Sequence, residues 1–138
     1  MCLYTRRKRP KIAKKDITCY KVLRKVDNFD KHVTPYIGAS VNNRALKGEE
    51  YFTSHGPKLI NKTETRRIMY RLFPEYKISE GFIHTFKELD DAKDDAFRFV
   101  GGDVFECIIP KGTIYYSGSF LHEECYCSDK IQILKRVY

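Results

Sequence analysis

Long apolar runs are missing from this sequence of 138 residues. No stretch approaches the ~18–20 apolar residues that are needed to cross a bilayer, and the charged first nine residues are not followed by the apolar segment of a signal peptide. Glycine and proline are also scarce, at 8 and 5 residues, which argues against a disordered chain. We therefore expect an ordered globular protein without a membrane segment.

An even set of cysteines, which a disulfide framework would need, is lacking because the chain has five. Free thiols in a reducing compartment fit this number, so we expect a cytoplasmic protein. His122, Cys125 and Cys127 are residue types that bind zinc, and Cys107 or Cys19 could supply a fourth ligand. However, paired Cys-x-x-Cys knuckles are absent, and Cys-x-Cys in a strand places two thiols on one sheet face. Buried thiols without a metal are the expectation, although Cys107, Cys125 and Cys127 could serve another role.

Catalytic motifs are also missing. No glycine-rich phosphate-binding motif is present, and no spacing selects one cysteine–histidine pair as a nucleophile and its base. Glu123 and Glu124 alternate faces on a predicted strand, so they cannot both line one site. The sequence indicates no catalytic residue, metal or cofactor, and it favours a binding role over an enzymatic one.

The length and the residue pattern predict one domain behind a basic arm. Residues 1–15 carry seven Lys/Arg and no acidic residue, a composition that buries too little apolar surface to offset chain entropy. We expect a flexible arm over 1–15 and a single domain over 16–138.

Alternating and β-branched residues predict a strand that opens the domain at 17–26 and a β-rich C-terminal end over 104–137. Two main helices are predicted at 62–73 and 87–100. The first has a capping signature in Asn61 and Glu64 and a stop at Pro74. The second has apolar residues at helical spacing and a Gly101-Gly102 stop. The expected fold class is α+β, with a mixed or antiparallel twisted sheet.

Charge divides unevenly along the chain. Residues 1–77 hold 19 Lys/Arg against 7 Asp/Glu, or +12, whereas residues 78–138 hold 7 against 11, or −4, which together give the net +8. Such a positive half attracts polyanions. The candidate polyanion-binding residues belong to the arm and to the first predicted helix, and they are Arg6, Arg7, Lys8, Arg9, Lys11, Lys14, Lys15, Arg66, Arg67 and Arg71.

Several segments resemble a family of small proteins from bacterial phages and prophages to which no activity is assigned. The likeness covers roughly residues 14–135 and depends on 20–23, 34–36, 81–86, 91–92, 107–116 and 128–131. It implies a mobile-element setting, hence the host cell cytoplasm, and supplies no catalytic residue. Phage accessory proteins of this kind commonly bind host or defence components.

A fainter resemblance is to ADP-ribosyltransferase-like folds, in which a strand resembling 81–85 precedes a helix and a late Pro-Lys-Gly turn precedes an acidic strand. It implies an NAD-binding cleft, although the Glu-x-Glu spacing of such enzymes is absent. The residues that could form this cleft are Tyr36, His84, Thr85, Tyr115, Tyr116 and Glu124.

Three functions follow from these patterns. The leading one is a non-enzymatic accessory protein that binds a negatively charged partner, which is nucleic acid, a nucleotide or an acidic host protein. The alternatives are an ADP-ribosyltransferase-like NAD-binding protein and an inhibitor that binds a host protein. The sequence does not determine the oligomeric state.

Overall fold

The computed structural model describes residues 3–26, 31–35, 40–54, 59–62, 66–68, 71–73, 76–100, 102–120 and 122–138. Within these residues the chain is mostly antiparallel β-sheet with short helices. The α+β class and the twisted antiparallel sheet are thus confirmed in outline, whereas the helical part is smaller than the sequence predicts.

Alternating apolar and polar residues account for most of the strands, because successive side chains of a strand point to opposite faces. The described strands are β1 (Leu3–Thr5), β2 (Lys11–Ile12), β3 (Ile17–Val26), β4 (Lys31–Val33), β5 (Ser40–Val41), β6 (Phe52–Thr53), β7 (Leu59–Lys62), β8 (Arg66–Ile68), β9 (Arg71–Phe73), β10 (Tyr76–Glu80), β11 (Ile83–Phe86), β12 (Asp103–Ile109), β13 (Ile114–Phe120), β14 (Glu123–Ser128) and β15 (Lys130–Arg136). The helices are α1 (Asn43–Leu46) and α2 (Leu89–Asp95), and α2 continues as a π-helical turn over Ala96–Val100.

One curled sheet contains most of these strands. Its order is β6–β15–β12–β3–β11–β14–β13–β1–β10–β7, with β2 added beside β13 and the pair β4–β5 added beside β3. β8 and β9 pair only with each other. The long ladder between β12 and β3 runs from Asp103 opposite Leu23 to Ile109 opposite Ile17, and it forms the middle of the sheet.

Each face of the sheet carries its own apolar cluster. The first cluster includes Cys19 and Leu23 of β3 and is joined by Ala45 of α1. The second cluster includes Val22 of β3 and is joined by Ala92 of α2. β3 contributes buried residues to both clusters, so the sheet is covered on two sides at this strand.

Part of the predicted flexible arm lies inside the sheet. β1 pairs with both β10 and β13, and its Leu3 is fully buried in the second cluster. β2 pairs with β13, and Ala13 is buried in the first cluster. The boundary expected at residue 15 therefore does not coincide with an edge of the fold, because the apolar side chains of Leu3 and Ala13 are buried among the lysines and arginines of this segment. An average composition over the whole segment does not reveal these two residues.

The helix predicted over 62–73 is wrong for the residues that the structure describes there. Lys62 ends β7, and β8 and β9 form a hairpin in which Arg66 is opposite Phe73. Apolar spacing in a short segment does not separate a helix from a hairpin. Cross-strand pairing therefore overrides the capping signature, and the expectation of two main helices reduces to one.

The second predicted helix and the C-terminal strands agree with the structure. α2 and the π-helical turn span Leu89–Val100, inside the predicted range of 87–100. β12, β13, β14 and β15 then follow in succession. These segments have strong periodicity, which is the most reliable local signal of secondary structure.

Gly118 of β13 allows β1 to enter the sheet. A Cβ atom at Gly118 would lie 2.1 Å from the backbone oxygen of Tyr4, well inside contact distance. Replacing Gly118 with alanine must therefore push β1 away from β13 and disturb the burial of Leu3. The close approach explains why glycine occupies the middle of a strand here.

We expect Gly118→Ala to lower the free energy of unfolding by roughly 1–3 kcal/mol, the usual cost of overpacking a close contact. Urea denaturation followed by far-ultraviolet circular dichroism measures this change. Ser117→Ala on the same strand is the control and should unfold close to wild type. Equal stability of Gly118→Ala and wild type would contradict the placement of β1.

Candidate functional site

An open groove of about 500 Å³ crosses one face of the sheet. Its volume falls within the roughly 300–1,000 Å³ range of sites that bind small molecules. The lining residues are mainly cationic, aromatic and small, and they are Lys11, Lys15, Ile17, Lys87, Tyr115, Ser117, Gly118, Glu124, Cys125 and Tyr126. We call this feature the lysine–tyrosine groove.

Strand register brings the side chains of the groove to one face. Lys11 of β2 is opposite Tyr115 of β13, and Ser117 of β13 is opposite Tyr126 of β14. The backbone nitrogen of Lys87, which follows β11, donates to the backbone oxygen of Glu124 at 3.0 Å. Cross-strand neighbours project to the same side of a sheet. The groove therefore runs from a lysine on β2, over two tyrosines, to a lysine beside β14.

The floor of the groove is aromatic. Tyr115 and Tyr126 are partly buried against the first cluster, and their ring centroids lie 6.0 Å apart at an interplanar angle of 74°. Edge-to-face contact is a favourable arrangement of aromatic rings. Burial raises the pKa of the Tyr126 hydroxyl, which nearby Lys87 partly opposes, so this hydroxyl stays protonated at neutral pH.

The rims of the groove are cationic. Lys15 is exposed and Lys11 is half-buried on one side, while Lys87 lies on the other side with its Nζ 3.0 Å from Glu124 Oε2. The hydrogen bond to Glu124 raises the pKa of Lys87, so Lys87 is charged at neutral pH. Glu124 is the acidic residue among those that line the groove, and its charge offsets one of the three.

The structure divides the predicted polyanion-binding residues. Lys11 and Lys15 line the groove, whereas Arg6, Arg7, Lys8, Arg9 and Lys14 are exposed outside its lining. The backbone oxygen of Lys8 accepts a hydrogen bond from the Tyr116 hydroxyl at 3.0 Å, which holds the segment against the sheet. Arg66, Arg67 and Arg71 belong to β8 and β9, of which the backbone alone is described.

The residues proposed for an NAD cleft do not converge. Tyr115 and Glu124 line the groove, but Tyr116 belongs to the second cluster on the opposite face. His84 is opposite Cys127, another member of the second cluster, so it also faces away from the groove. Alternation along β11 places Thr85 on the groove side, where it is fully buried. Tyr36 lies outside the described residues.

His84 is instead part of a buried polar cluster. Its Nδ1 lies 3.2 Å from the Phe82 oxygen and its Nε2 lies 3.3 Å from the Ile78 oxygen. A neutral imidazole has one N–H, so it can satisfy one of these two carbonyls. Burial lowers the pKa of His84 to about 4, and the charge of Lys21 contributes in the same direction. His84 is therefore neutral at physiological pH.

Lys21 lies at the point where β3 and β11 separate. These two strands pair only at Tyr20 and Phe86, and Lys21 Nζ donates to the backbone oxygen of His84 at 2.8 Å. Burial lowers the pKa of Lys21 to about 8. Both carboxylate oxygens of buried Asp95 lack a hydrogen-bond partner within the described residues, and burial raises the pKa of this carboxyl while Lys21 lowers it.

The acidic residues of α2 lie on the face opposite the groove. α2 packs through Ala92 onto the second cluster. Burial raises the pKa of Glu123, and the charges of Asp91 and Asp95 add to this effect. These carboxylates thus lie close to one another beside the second cluster. The groove lining, in contrast, holds Lys11, Lys15 and Lys87 with one carboxylate, that of Glu124.

The cysteine thiols of the described residues are buried. Cys19, Cys107, Cys125 and Cys127 are free thiols, and burial raises the pKa values of Cys19 and Cys125 to about 12. Protonated thiols are poor nucleophiles and poor metal ligands. Among the residues that the structure describes, no three His, Cys, Asp or Glu side chains are arranged to hold a metal ion.

Sequence reasoning missed Lys87, Ser117 and Tyr126 of the groove. Alternation over 83–87 and 124–127 shows that these residues share a face with their strand neighbours, but it does not show which strands are adjacent. β11 and β14 are separated by about 40 residues of sequence. Their pairing is the information that was missing.

Comparisons of the chain with protein-family models, curated proteins and solved structures find no match. Within the described residues, no helix is long and apolar enough to cross a membrane. The geometry and charge of the groove are therefore the basis for proposing a function.

The buried imidazole predicts a specific loss of stability in acid. His84 has a pKa of about 4 when folded and 6.5 when unfolded, so the unfolded chain binds more protons between these values. The free energy of unfolding should therefore fall as pH drops from 6.5 to 4, by up to ~3 kcal/mol from this residue. Urea denaturation at pH 7, 5 and 4 measures the loss.

His84→Gln is the informative variant, because an amide can donate to both carbonyls and does not titrate. Its stability should change less with pH over the same interval. His122→Gln is the control, since His122 is exposed, and it should behave as wild type. A pH dependence that is identical in His84→Gln and wild type would contradict this assignment.

Proposed function

We propose that the protein is a non-enzymatic accessory protein, of the kind that phages and prophages encode, and that it binds a polyanionic partner in the lysine–tyrosine groove. The observation that carries this proposal is the arrangement of Lys11, Lys15 and Lys87 around one concave surface. The resemblance to phage and prophage proteins supports the accessory role.

The charge of the groove lining supports an anionic occupant. Three lysines against one glutamate give the groove lining a net charge of +2, while the acids of α2 pack on the other face. A concave surface of one sign focuses the electrostatic potential and raises the association rate of ligands of opposite sign. Arg6, Arg7 and Arg9 are also exposed, outside the residues that line the groove.

The groove also lacks the features of a catalytic site. The thiol of Cys125 is buried in the second cluster and has a raised pKa, and the carboxylate of the groove, Glu124, is paired with Lys87. His84 lies on the opposite face of the sheet. Binding is thus the activity that the side chains of the groove support best.

Salt dependence should identify the lysines that contact the ligand. We expect the affinity for a fluorescent oligonucleotide to fall steeply with salt, and replacing Lys11, Lys15 and Lys87 with glutamine should make the log–log slope shallower by about 2 for a single strand. Fluorescence anisotropy between low and physiological salt measures the slope. Lys47→Gln, at the C-cap of α1 and outside the groove lining, is the control.

Two results would overturn the proposal. One is the absence of binding to oligonucleotides and to heparin at low salt. The other is a triple variant with the affinity and slope of wild type, since the anion would then be bound elsewhere, for example by Arg6, Arg7 and Arg9.

Removing the acidic residue of the groove should strengthen binding. Glu124→Gln releases Lys87 from its ion pair and removes one negative charge from the lining. Because this pair is exposed, we expect a modest gain in affinity for the same oligonucleotide, up to about fivefold at low salt. Anisotropy titrations of Glu124→Gln and of a distant Glu49→Gln control test this, and weaker binding by Glu124→Gln would count against the groove.

A further inference from the structure

We infer that the occupant of the lysine–tyrosine groove is single-stranded nucleic acid, with unpaired bases on Tyr115 and Tyr126 and phosphates on the flanking lysines. This inference rests on the proposed polyanion-binding function and names the class of ligand. It follows from where the aromatic and cationic side chains lie relative to one another.

The tyrosines can accept a base. Both rings are partly buried in the floor, and they meet edge to face. In such a contact the ring that offers its edge keeps both of its faces clear of the other ring. Stacking of bases on aromatic side chains tolerates every base, because each has a π-face. Ser117, opposite Tyr126, places a hydroxyl group beside this floor that can bond to a base edge.

The lysines are placed to hold the backbone on both sides of the tyrosines. Lys11 is the direct cross-strand neighbour of Tyr115. Lys87 is diagonal to Tyr126 across β11 and β14, a spacing of about 7–8 Å between neighbours of this kind. The distance across the sheet between β2 and β11 is three strand spacings, or about 14 Å. One strand of nucleic acid can thus cross the groove with a phosphate near each rim and its bases directed to the floor.

A duplex fits this arrangement less well. Its bases are already paired and stacked, so the floor tyrosines cannot reach a base face, and the lysines alone would contact phosphates. A sulfated polysaccharide has no aromatic group to stack. Only a single strand uses both the rims and the floor, and it combines the features of a general single-strand site, in which a cationic groove carries aromatic platforms.

The test compares four probes on the full chain. These are dT and rU 12-mers, a 12-base-pair duplex and a heparin oligosaccharide, each titrated by anisotropy at low salt. We expect the two single strands to bind more tightly than the duplex. Tyr126→Leu and Tyr115→Leu should each weaken single-strand binding by roughly 5- to 150-fold, the usual effect of losing one stacked base. Tyr126→Phe keeps the ring and should bind as wild type.

Titrations with heparin distinguish base stacking on the tyrosines from the proposed polyanion binding on which this inference rests. The leucine variants should bind heparin within about twofold of wild type, because cationic side chains determine that affinity and the tyrosines add little to it, while the triple lysine variant should weaken binding of both ligands. Leucine variants with wild-type affinity for the 12-mers, or a duplex bound as tightly as the single strands, would overturn the stacking inference and leave polyanion binding intact. A triple lysine variant that binds every probe normally would overturn both.

Photocrosslinking of wild-type protein to a bromodeoxyuridine 12-mer gives a readout that does not depend on how variants fold. The crosslinked peptides should contain Tyr115 or Tyr126. Crosslinks confined to Arg6–Arg9 would overturn the inference. The chain has no tryptophan, so quenching of tyrosine fluorescence by the 12-mer, and by free UMP at higher concentration, provides a second measure of stacking.

Discussion

The pairing register of β14 with β11 and β13 is the constraint on which the groove depends. Alternation along a strand means that a slip of one residue would exchange the two faces. Tyr126 and Glu124 would then enter the second cluster, and Cys125 and Cys127 would face the groove. The register is secured by burial of these two thiols beside Phe86, because exposing that apolar surface would cost several kcal/mol, on the order of 1 kcal/mol or more for each buried side chain. The inert thiols therefore have a structural role, which is to hold the tyrosine and the glutamate on the polar side.

The polar cluster around Lys21 shows a second consequence of curling the sheet. The buried backbone oxygen of His84 accepts a hydrogen bond from the Lys21 ammonium group, and a buried carbonyl left without a donor would cost roughly 1–3 kcal/mol. This contact buries the ammonium group, whose pKa falls to about 8. Asp95 compensates the charge from the side of α2 without a direct hydrogen bond, since its carboxylate oxygens have no partner within the described residues. β3 pairs with β12 on one side and with β11, which leads to the groove strands, on the other. Lys21 therefore stabilises the junction between these two parts of the curled sheet.

Local patterns in the sequence predicted α2 and several strands, among them β3 and the C-terminal strands, but not how the strands are arranged. Alternation identified β12 and β15, and helical spacing identified α2, because these signals are carried by neighbouring residues. The segment over 62–73 was misread because apolar spacing in a short stretch fits a helix and a hairpin alike. Leu3 and Ala13 were overlooked because the surrounding lysines and arginines dominate the composition of the arm. Of the groove, Lys11, Lys15, Tyr115 and Glu124 were named in advance, whereas Lys87 and Tyr126 required the pairing of β11 with β14, which no local pattern encodes.

The pairing of β11 with β14 and of β2 with β13 brings residues from the positive and the acidic half of the chain into one groove. Lys11 and Lys15 come from the positive half of the chain, while Lys87 and both tyrosines come from the acidic half, so neither half forms the groove by itself. Glu124 is the partner of Lys87 in the structure, and in the proposed binding function a phosphate would replace this carboxylate. Because the Lys87–Glu124 pair is exposed, solvent screening makes its net stabilisation small, and the exchange would cost little. The ion pair therefore keeps Lys87 directed toward the groove without preventing its use by an anionic ligand.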